Sequence, residues 1–444
     1  MHTNGEGLGG KRSTLVGTIR SAAKPLRAPA DLDPLLERIG DARFVLLGEA
    51  SHGTSEFYRW RTAITRRLVE ERGFSFVAVE GDWPDCYRVN RFIKHLRESA
   101  ESAEQVLHAF ARWPTWMWEN REVIELVEFL RGHNAQHSWD RQVGFYGLDV
   151  YSLWESMAAV VEYLDRVDPQ AARLARRAYG CFDRFHGDAQ EYARSTALTP
   201  TSCEPDVVKM LATLRANAPV YREDGRDAYF SAEQNALIAI DAERYYRAMI
   251  RGGPLSWNLR DHHMMDTLDR LMAHHGPTAK AIVWEHNTHV GDARFTDMAR
   301  DGMVNVGELT RQTHGDEGVV LVGFATHHGS VIAAREWGAP MERMTVPPAR
   351  EGSFEDLAHQ SDAGDAFLLS SEDLATNAGF AEPMGHRAIG VVYHPGGERW
   401  GNYVPTIIPH RYDAMIYIDE TSGVDALHMP VAVTGEPETY PSGM

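Results

Sequence analysis

Short apolar runs punctuate the chain. They are Phe44-Val45-Leu46-Leu47, Phe76-Val77-Ala78-Val79, Val143-Gly144-Phe145-Tyr146, Ala281-Ile282-Val283-Trp284 and Val319 to Phe324. Further runs follow at Ala366–Leu369, Ala388–Tyr393 and Ala414–Ile418. The runs are continuous rather than alternating, as expected of strands buried on both faces. Helical patterns separate the early ones, the rhythm of βαβ units. The pattern predicts an α/β fold with a mostly parallel central sheet flanked by helices.

Residues 151–276 break that rhythm. They carry Ala, Arg, Glu and Leu at helical spacing and few strand candidates. They are read as a large all-helical insertion between two core strands. Such an insertion either forms one wall or lid of a cleft or merely covers the sheet. Residues 1–14 are Gly-rich and polar, and residues 430–444 hold three prolines; both are expected to be flexible ends. The α/β core is then 15–150 together with 277–429.

Composition narrows the class. A chain of 444 residues with 43% hydrophobic and 24% charged residues is an ordinary globular protein, not a disordered one. Lys and Arg number 45 against 63 Asp and Glu, a net charge of −18. That balance repels phosphate backbones and anionic bilayers, so neither nucleic acid nor a membrane is expected as partner. A small-molecule substrate is expected instead, and the oligomeric state is left open. The three cysteines, Cys86, Cys181 and Cys203, are widely spaced with no C-x-x-C. Neither a disulfide framework nor a zinc ribbon is expected, and a reducing, cytoplasmic setting fits. The first residues hold no apolar run of signal-peptide type, and no stretch approaches the ~20 apolar residues of a membrane span.

Ligands of open α/β sheets bind beyond the carboxyl ends of the strands. The residues that follow each run therefore carry the interest. They are Gly48-Glu49-Ala50-Ser51-His52-Gly53, Glu80-Gly81-Asp82, Gly147-Leu148-Asp149, Glu285-His286-Asn287-Thr288-His289 and Ala325-Thr326-His327-His328. Any one acidic residue there could be a helix cap. Clustered carboxylates repel, so the set needs protons, cations or a metal.

A helix over about 55–71 supplies a cation. Phe57, Trp60, Ile64 and Leu68 form its apolar stripe at 100° per residue. Arg59, Arg66 and Arg67 point away or to the flank, but Arg61 falls inside the stripe. A buried arginine needs a carboxylate, with Glu49 and Glu80 as candidates, whether for chemistry or only to stitch helix to sheet. His52, three residues after Glu49, is the side chain best matched to general-base work near neutral pH. His286 and His289 stand at H-x-x-H spacing, which one helical turn would bring to one side.

Other features are weaker. His262 and Asp266 are one turn apart, but a solvated helix face explains them. Of His327 and His328, adjacent on a strand, at most one should point into a site. Trp113, Trp116 and Trp118 could line a pocket, though core packing suits at least two. No G-x-S-x-G elbow, Walker A loop or G-x-G-x-x-G follows a strand, so serine-hydrolase, nucleotide-triphosphate and dinucleotide chemistry lack support.

The stretch from Gly48 to Tyr58, followed by Arg61, resembles the signature of the erythromycin esterase family. Glu80-Gly81-Asp82-Trp83, Trp113 to Trp118, Asn258-Leu259-Arg260-Asp261, Glu285 to His289, His394-Pro395 and Asp413 to Asp419 resemble it as well, so the likeness spans about 25–428. The resemblance implies an α/β core with a helical insertion and hydrolysis by histidine-activated water without an obligatory metal or other cofactor. By position, His52 is similar to the family's general base and Glu49 to its carboxylate partner. Arg61, His286 and His289 are similar to supporting catalytic residues, and Glu80 to a carboxylate of the same cleft. The resistance enzymes of the family open a macrolide lactone, whereas this sequence is more similar to the broader group labelled succinoglycan biosynthesis proteins. The expectation is a carboxylic-ester hydrolase in which Arg61 or a protonated His286 or His289 steadies the oxyanion. Two alternatives stay open. One is a metal-dependent hydrolase using Glu49, Glu80, His52, His286 and His289 as ligands. The other is a binding or biosynthetic protein with the same cleft.

Overall fold

In the computed structural model, residues 4–97, 99–185, 189–198, 202–222 and 225–428 are described. Eleven strands run through them: β1 Lys24–Pro25, β2 Phe44–Leu47, β3 Phe76–Asp82, β4 Gly144–Asp149, β5 Ala281–Trp284, β6 Val319–Ala333, β7 Glu342–Val346, β8 Ala366–Ser370, β9 Met384–Arg387, β10 Tyr403–Thr406 and β11 Ala414–Thr421. Nine of them form one sheet in the order β1-β8-β11-β6-β2-β5-β3-β4, with β7 paired to β6. The pairs β11–β6, β6–β2 and β2–β5 are parallel, while β1–β8, β8–β11 and β6–β7 are antiparallel. The α/β fold with a largely parallel centre is as expected. Every residue of β2 and β5 is buried, which explains their unbroken apolar runs.

Register then places the chemistry. Leu47 lies opposite both Trp284 and Val322. The segments after β2 and β5 therefore leave the sheet at one level, beside the outgoing part of β6.

One apolar run is not a strand. Ala388–Tyr393 is largely buried, but its backbone bonds are split among three segments. Ala388 N–H donates to Asn402, Ile389 N–H to Ala50 and Tyr393 N–H to Ala334. Only isolated bridges result, at Ser51–Ile389 and Ala334–Val392. The neighbouring strands are instead the more polar β9 and β10, an antiparallel pair.

The segment 1–14, expected to be flexible, is helical from Asn4 onward, in a helix that runs to Ala22. Arg12 explains its order by bonding Gln360, Glu351 and Asp356, and Leu15 and Ile19 are buried below it. The expected tail at 430–444 lies outside the described residues.

The chain falls into two compact units: residues 1–78, 91–144 and 272–444, and residues 79–90 with 145–271. In the second unit, the helices Leu153–Val167, Pro169–Tyr179, Glu204–Ala216 and Arg226–Met249 enclose a core that includes Leu164, Phe182, Leu214, Tyr245 and Tyr246. Here the cysteine reading is corrected. Cys181 and Cys203 are joined by a disulfide, with Cα atoms 5.9 Å apart, and Cys86 is a buried free thiol. Wide sequence spacing did not matter, because the helical unit brings the two together. No helix among the described residues is long and apolar enough to cross a membrane.

Candidate functional site

The loop after β2 is built for close approach. A Cβ on Gly48 would sit 2.1 Å from Asn287 Oδ1, and one on Gly53 would sit 2.0 Å from the Ile332 carbonyl oxygen. Glycine at both places lets the loop between them pack against β6 and the segment after β5. The Asn287 N–H donates to the Glu49 carbonyl at 2.8 Å, tying the two segments.

Glu49 and His52 are both buried. His52 Nδ1 lies 2.8 Å from Glu49 Oε1. Arg61 Nη2 donates to the other carboxylate oxygen, Oε2. The result is a row, His52–Glu49–Arg61. The helix Ser55–Arg72 carries Arg61; Thr54 stands at its N-terminal boundary with its hydroxyl on Ser51, and Gly73 ends it in the left-handed conformation. The guanidinium is wholly buried between the Tyr58 and Trp284 rings, 4.5 Å from each centroid. Its Nε and Nη1 find no hydrogen bond among the described residues, so the two ring faces and Glu49 offset the buried charge. Arg59 and Arg66 are exposed, as the helical spacing predicts.

This placement sets Arg61 behind Glu49, on the side away from His52. Its described hydrogen bond goes to Glu49, and the Tyr58 and Trp284 rings lie against it. Tyr58 completes the support by donating its hydroxyl to the His52 carbonyl at 2.8 Å. Burial, with Glu49 beside it, pushes the Tyr58 phenol far up and keeps it a donor.

His286 lies next to His52, with ring centroids 4.8 Å apart. It caps the short helix Asn287–Val290. The Thr288 N–H donates to His286 Nδ1 at 3.3 Å, and Thr288 Oγ1 lies 2.8 Å from the same nitrogen. His289 follows within that turn and is buried.

These bonds assign the neutral tautomers. Glu49 can only accept while ionised, so His52 carries its proton on Nδ1 and its basic lone pair on Nε2. His286 accepts at Nδ1, so its proton sits on Nε2. Two neighbouring imidazoles are thus set in opposite senses, one to take a proton and one to donate a hydrogen bond.

Asn287 is held from three sides. Its Nδ2 donates to the Phe324 carbonyl at 2.7 Å and approaches His386 Nε2 at 3.2 Å. Its own carbonyl accepts from Arg411 Nη2 at 2.9 Å. His386 Nδ1 in turn bonds Glu355 Oε1 at 2.7 Å. Burial pushes His386 down despite Glu355. Glu355 lies below the usual carboxylate range, because the bond from His386 and nearby charge outweigh its burial. Glu355 and His386 were not singled out from the sequence. Neither follows an apolar run, and nothing local marks Met384-Gly385-His386-Arg387.

Glu80 belongs to the second unit. Arg260 Nη2 bonds Glu80 Oε1 at 2.7 Å and Asp149 Oδ2 at 2.7 Å, while its Nε bonds Asp149 Oδ1 at 3.0 Å. Glu80, Asp149 and Arg260 are all buried, and Arg260 also stacks over the Tyr151 ring. Desolvation alone would lower the Arg260 pKa; Asp149 foremost, then Tyr151 and Glu80, hold it far up instead. Two buried carboxylates share one arginine, which answers the charge problem posed by the sequence. Arg260 was passed over as a site residue because it lies in mid-helix, away from any strand end.

The remaining sequence candidates fall into place. Trp113, Trp116 and Trp118 are all buried, and the first two meet edge to face at 5.3 Å. His262 and Asp266 are exposed, while their neighbour His263 bonds Asp241.

Comparison with known proteins agrees with this architecture. The chain is 23% identical over 348 residues to an Escherichia coli protein named erythromycin esterase type II, covering 73% of this chain and 80% of that one. Among solved structures, one titled a succinoglycan biosynthesis protein superposes with a TM-score of 0.77 at 23% identity, covering 94% of this chain and 98% of that one. An erythromycin esterase in its open conformation superposes with a TM-score of 0.65 at 18% identity, covering 91% and 97%. The family model described as erythromycin esterase matches residues 69–421, a span that begins after Glu49, His52 and Arg61 but takes in most of the chain. On that match the chain belongs to the erythromycin esterase family.

Proposed function

We propose that this protein is a hydrolase of carboxylic esters that uses water deprotonated by His52. Family membership supports the hydrolase. The observation that carries the mechanism is the buried row His52–Glu49–Arg61, with His286 at 4.8 Å and held in the opposite tautomer.

Each group has a distinct task. Glu49 fixes the His52 ring and stabilises the imidazolium that forms as water loses its proton. Arg61 holds the far oxygen of Glu49 and so aims the carboxylate. The His286 Nε2–H is the donor assigned to the developing oxyanion, and His289 supports the same turn. Protons balance: water gives one to His52 Nε2, hydroxide adds to the ester carbon, and the imidazolium returns the proton to the departing alkoxide. No step needs a resident metal or cofactor. A macrolactone is one ester to test, because a relative is named an erythromycin esterase.

The test is hydrolysis of a panel of activated esters and macrolactones by the wild type and by His52→Ala. A general-base histidine contributes about 10²- to 10⁴-fold, so kcat/KM should fall by that factor with the circular dichroism spectrum unchanged. Full turnover in His52→Ala on any confirmed substrate would refute the proposal.

A further inference from the structure

The histidines that follow the apolar part of β6 serve no purpose in the chemistry above. In β6, His328 pairs with Glu420 of β11, and Thr326 pairs with Ile418, so His327 and Asp419 stand at one level of adjacent parallel strands. A regular strand would turn His327 and His328 to opposite faces. Gly329, the next residue of β6, has a φ of 139° and packs closely on β11, where a Cβ would sit 1.9 Å from the Thr421 carbonyl oxygen. The Nδ1 atoms of His327 and His328 nevertheless lie 3.1 Å apart. The two rings meet, contrary to the expectation that at most one of the pair points into a site.

A third element supports the cluster. His359, on the helix Phe354–Gln360, lies flat on the His327 ring with centroids 3.8 Å apart and planes 3° apart. Its Nδ1 bonds Asp419 Oδ1 at 2.7 Å, and the Tyr417 hydroxyl donates to the same oxygen at 2.6 Å. One ligand atom each from His327, His328 and Asp419 lie within 4.8 Å of one another.

The distances match a shared ion. Imidazole nitrogens bind first-row metals at about 2.0–2.1 Å, and coordination angles of about 90–110° then set two such nitrogens about 2.9–3.4 Å apart. The observed separation of 3.1 Å falls inside that window. His359 and Tyr417 fix Asp419 as outer partners commonly fix a ligating carboxylate. Arg387, the cation beside the cluster, is committed to the Thr326 and His327 carbonyls and to Glu398.

We propose that His327, His328 and Asp419 form a binding site for a divalent first-row transition metal, with His359 and Tyr417 orienting the carboxylate. Two imidazoles and one carboxylate suit Zn²⁺, Co²⁺ or Fe²⁺ and leave positions for water. The ion joins β6 to β11, and through His359 it holds the helix Phe354–Gln360. That helix also carries Glu355, the partner of His386.

The test uses the full-length chain stripped with a chelator and titrated with Co²⁺, read by visible absorption, and with Zn²⁺, read by calorimetry and melting temperature. One equivalent should bind with a ligand-field spectrum, and Zn²⁺ should raise the melting temperature. His328→Ala and Asp419→Asn should each weaken binding by at least about 100-fold with the fold intact by circular dichroism. His328 is half-buried, and Asp419→Asn conserves shape, so one of the two variants can be read even if the other folds poorly. His52→Ala and His428→Ala should bind as the wild type does. The latter is the control because His108, Glu119 and His428 form the other such triad among the described residues. The proposal is overturned by absence of binding at millimolar metal. It is equally overturned by binding that survives both His328→Ala and Asp419→Asn, or that is lost in His52→Ala or His428→Ala.

Discussion

Glu49→Gln isolates the electrostatic core of the proposed mechanism with almost no change of shape. The carboxylate lies 2.8 Å from His52 Nδ1 and holds Arg61 with its other oxygen. When His52 becomes an imidazolium, the two charge centres stand roughly 4 Å apart, which is about 4 kcal/mol at an effective dielectric of 20. Arg61 offsets part of this from the far side of Glu49. A net loss of about 2–4 kcal/mol in the transition state corresponds to about 30- to 10³-fold in rate. A second effect acts in the same direction. The amide oxygen of the substituted side chain would turn to Arg61, leaving its NH₂ to face His52 Nδ1. That arrangement forces the proton onto Nε2 and removes the base. Buried Arg61 also loses its counter-charge, a disruption that typically costs about 3–5 kcal/mol of stability. The assay is kcat and KM on an activated ester at several pH values, with a denaturation curve on the same preparation. The expected result is a fall in kcat, a nearly unchanged KM and a lower melting temperature. A kcat within about threefold of the wild type, with the fold intact, would refute the reasoning, since general-base assistance is worth at least ~10²-fold.

Arg61→Met should lower kcat through Glu49 while leaving KM unchanged, and should be less stable than the wild type; a pure KM effect would place Arg61 against the substrate instead. Stability should fall as pH drops below about 6.5, because burial holds His386 below its ordinary value and the unfolded chain takes up the proton more readily. Glu355, also depressed, extends that loss below its ordinary value of 4.5. His386→Gln, which keeps polar contacts but does not titrate, should flatten the melting-temperature profile between pH 7 and 5; an unchanged profile would contradict the assignment. Removing the Cys181–Cys203 disulfide, which spans 22 residues, should destabilise the second unit by about 3 kcal/mol through loop entropy. Denaturation of Cys203→Ser measures this, and an unaltered midpoint would show that the bond adds nothing. Chelation should lower the melting temperature through the His327 cluster but leave ester hydrolysis at 25 °C intact; loss of turnover that metal restores would implicate a metal in the reaction itself.

The sheet was legible where burial is two-sided. β2 and β5 read as strands because every side chain of each is covered, and their register fixed where Glu49 and His286 emerge. Arg61 was legible from helical spacing alone, since an arginine inside an apolar stripe demands a carboxylate. Ala388–Tyr393 misled for the opposite reason. It is apolar because it is largely buried, but its backbone bonds divide among three segments. The Glu355–His386 pair, Arg260 and the disulfide were not legible, because each depends on residues distant in sequence meeting through tertiary packing. The meeting of His327 and His328 was invisible for a related reason: strand periodicity assumes a regular backbone and places neighbours on opposite faces, yet their Nδ1 atoms lie 3.1 Å apart.

The account rests on two adjacent imidazoles poised in opposite tautomeric states. Heteronuclear NMR of the ring nitrogens, assigned with His52→Ala and His286→Ala, reads those states directly at neutral pH. The structure predicts a protonated Nδ1 with an unprotonated Nε2 for neutral His52, and the reverse for neutral His286. Finding the proton of His52 on Nε2, or both rings in the same tautomer, would contradict it.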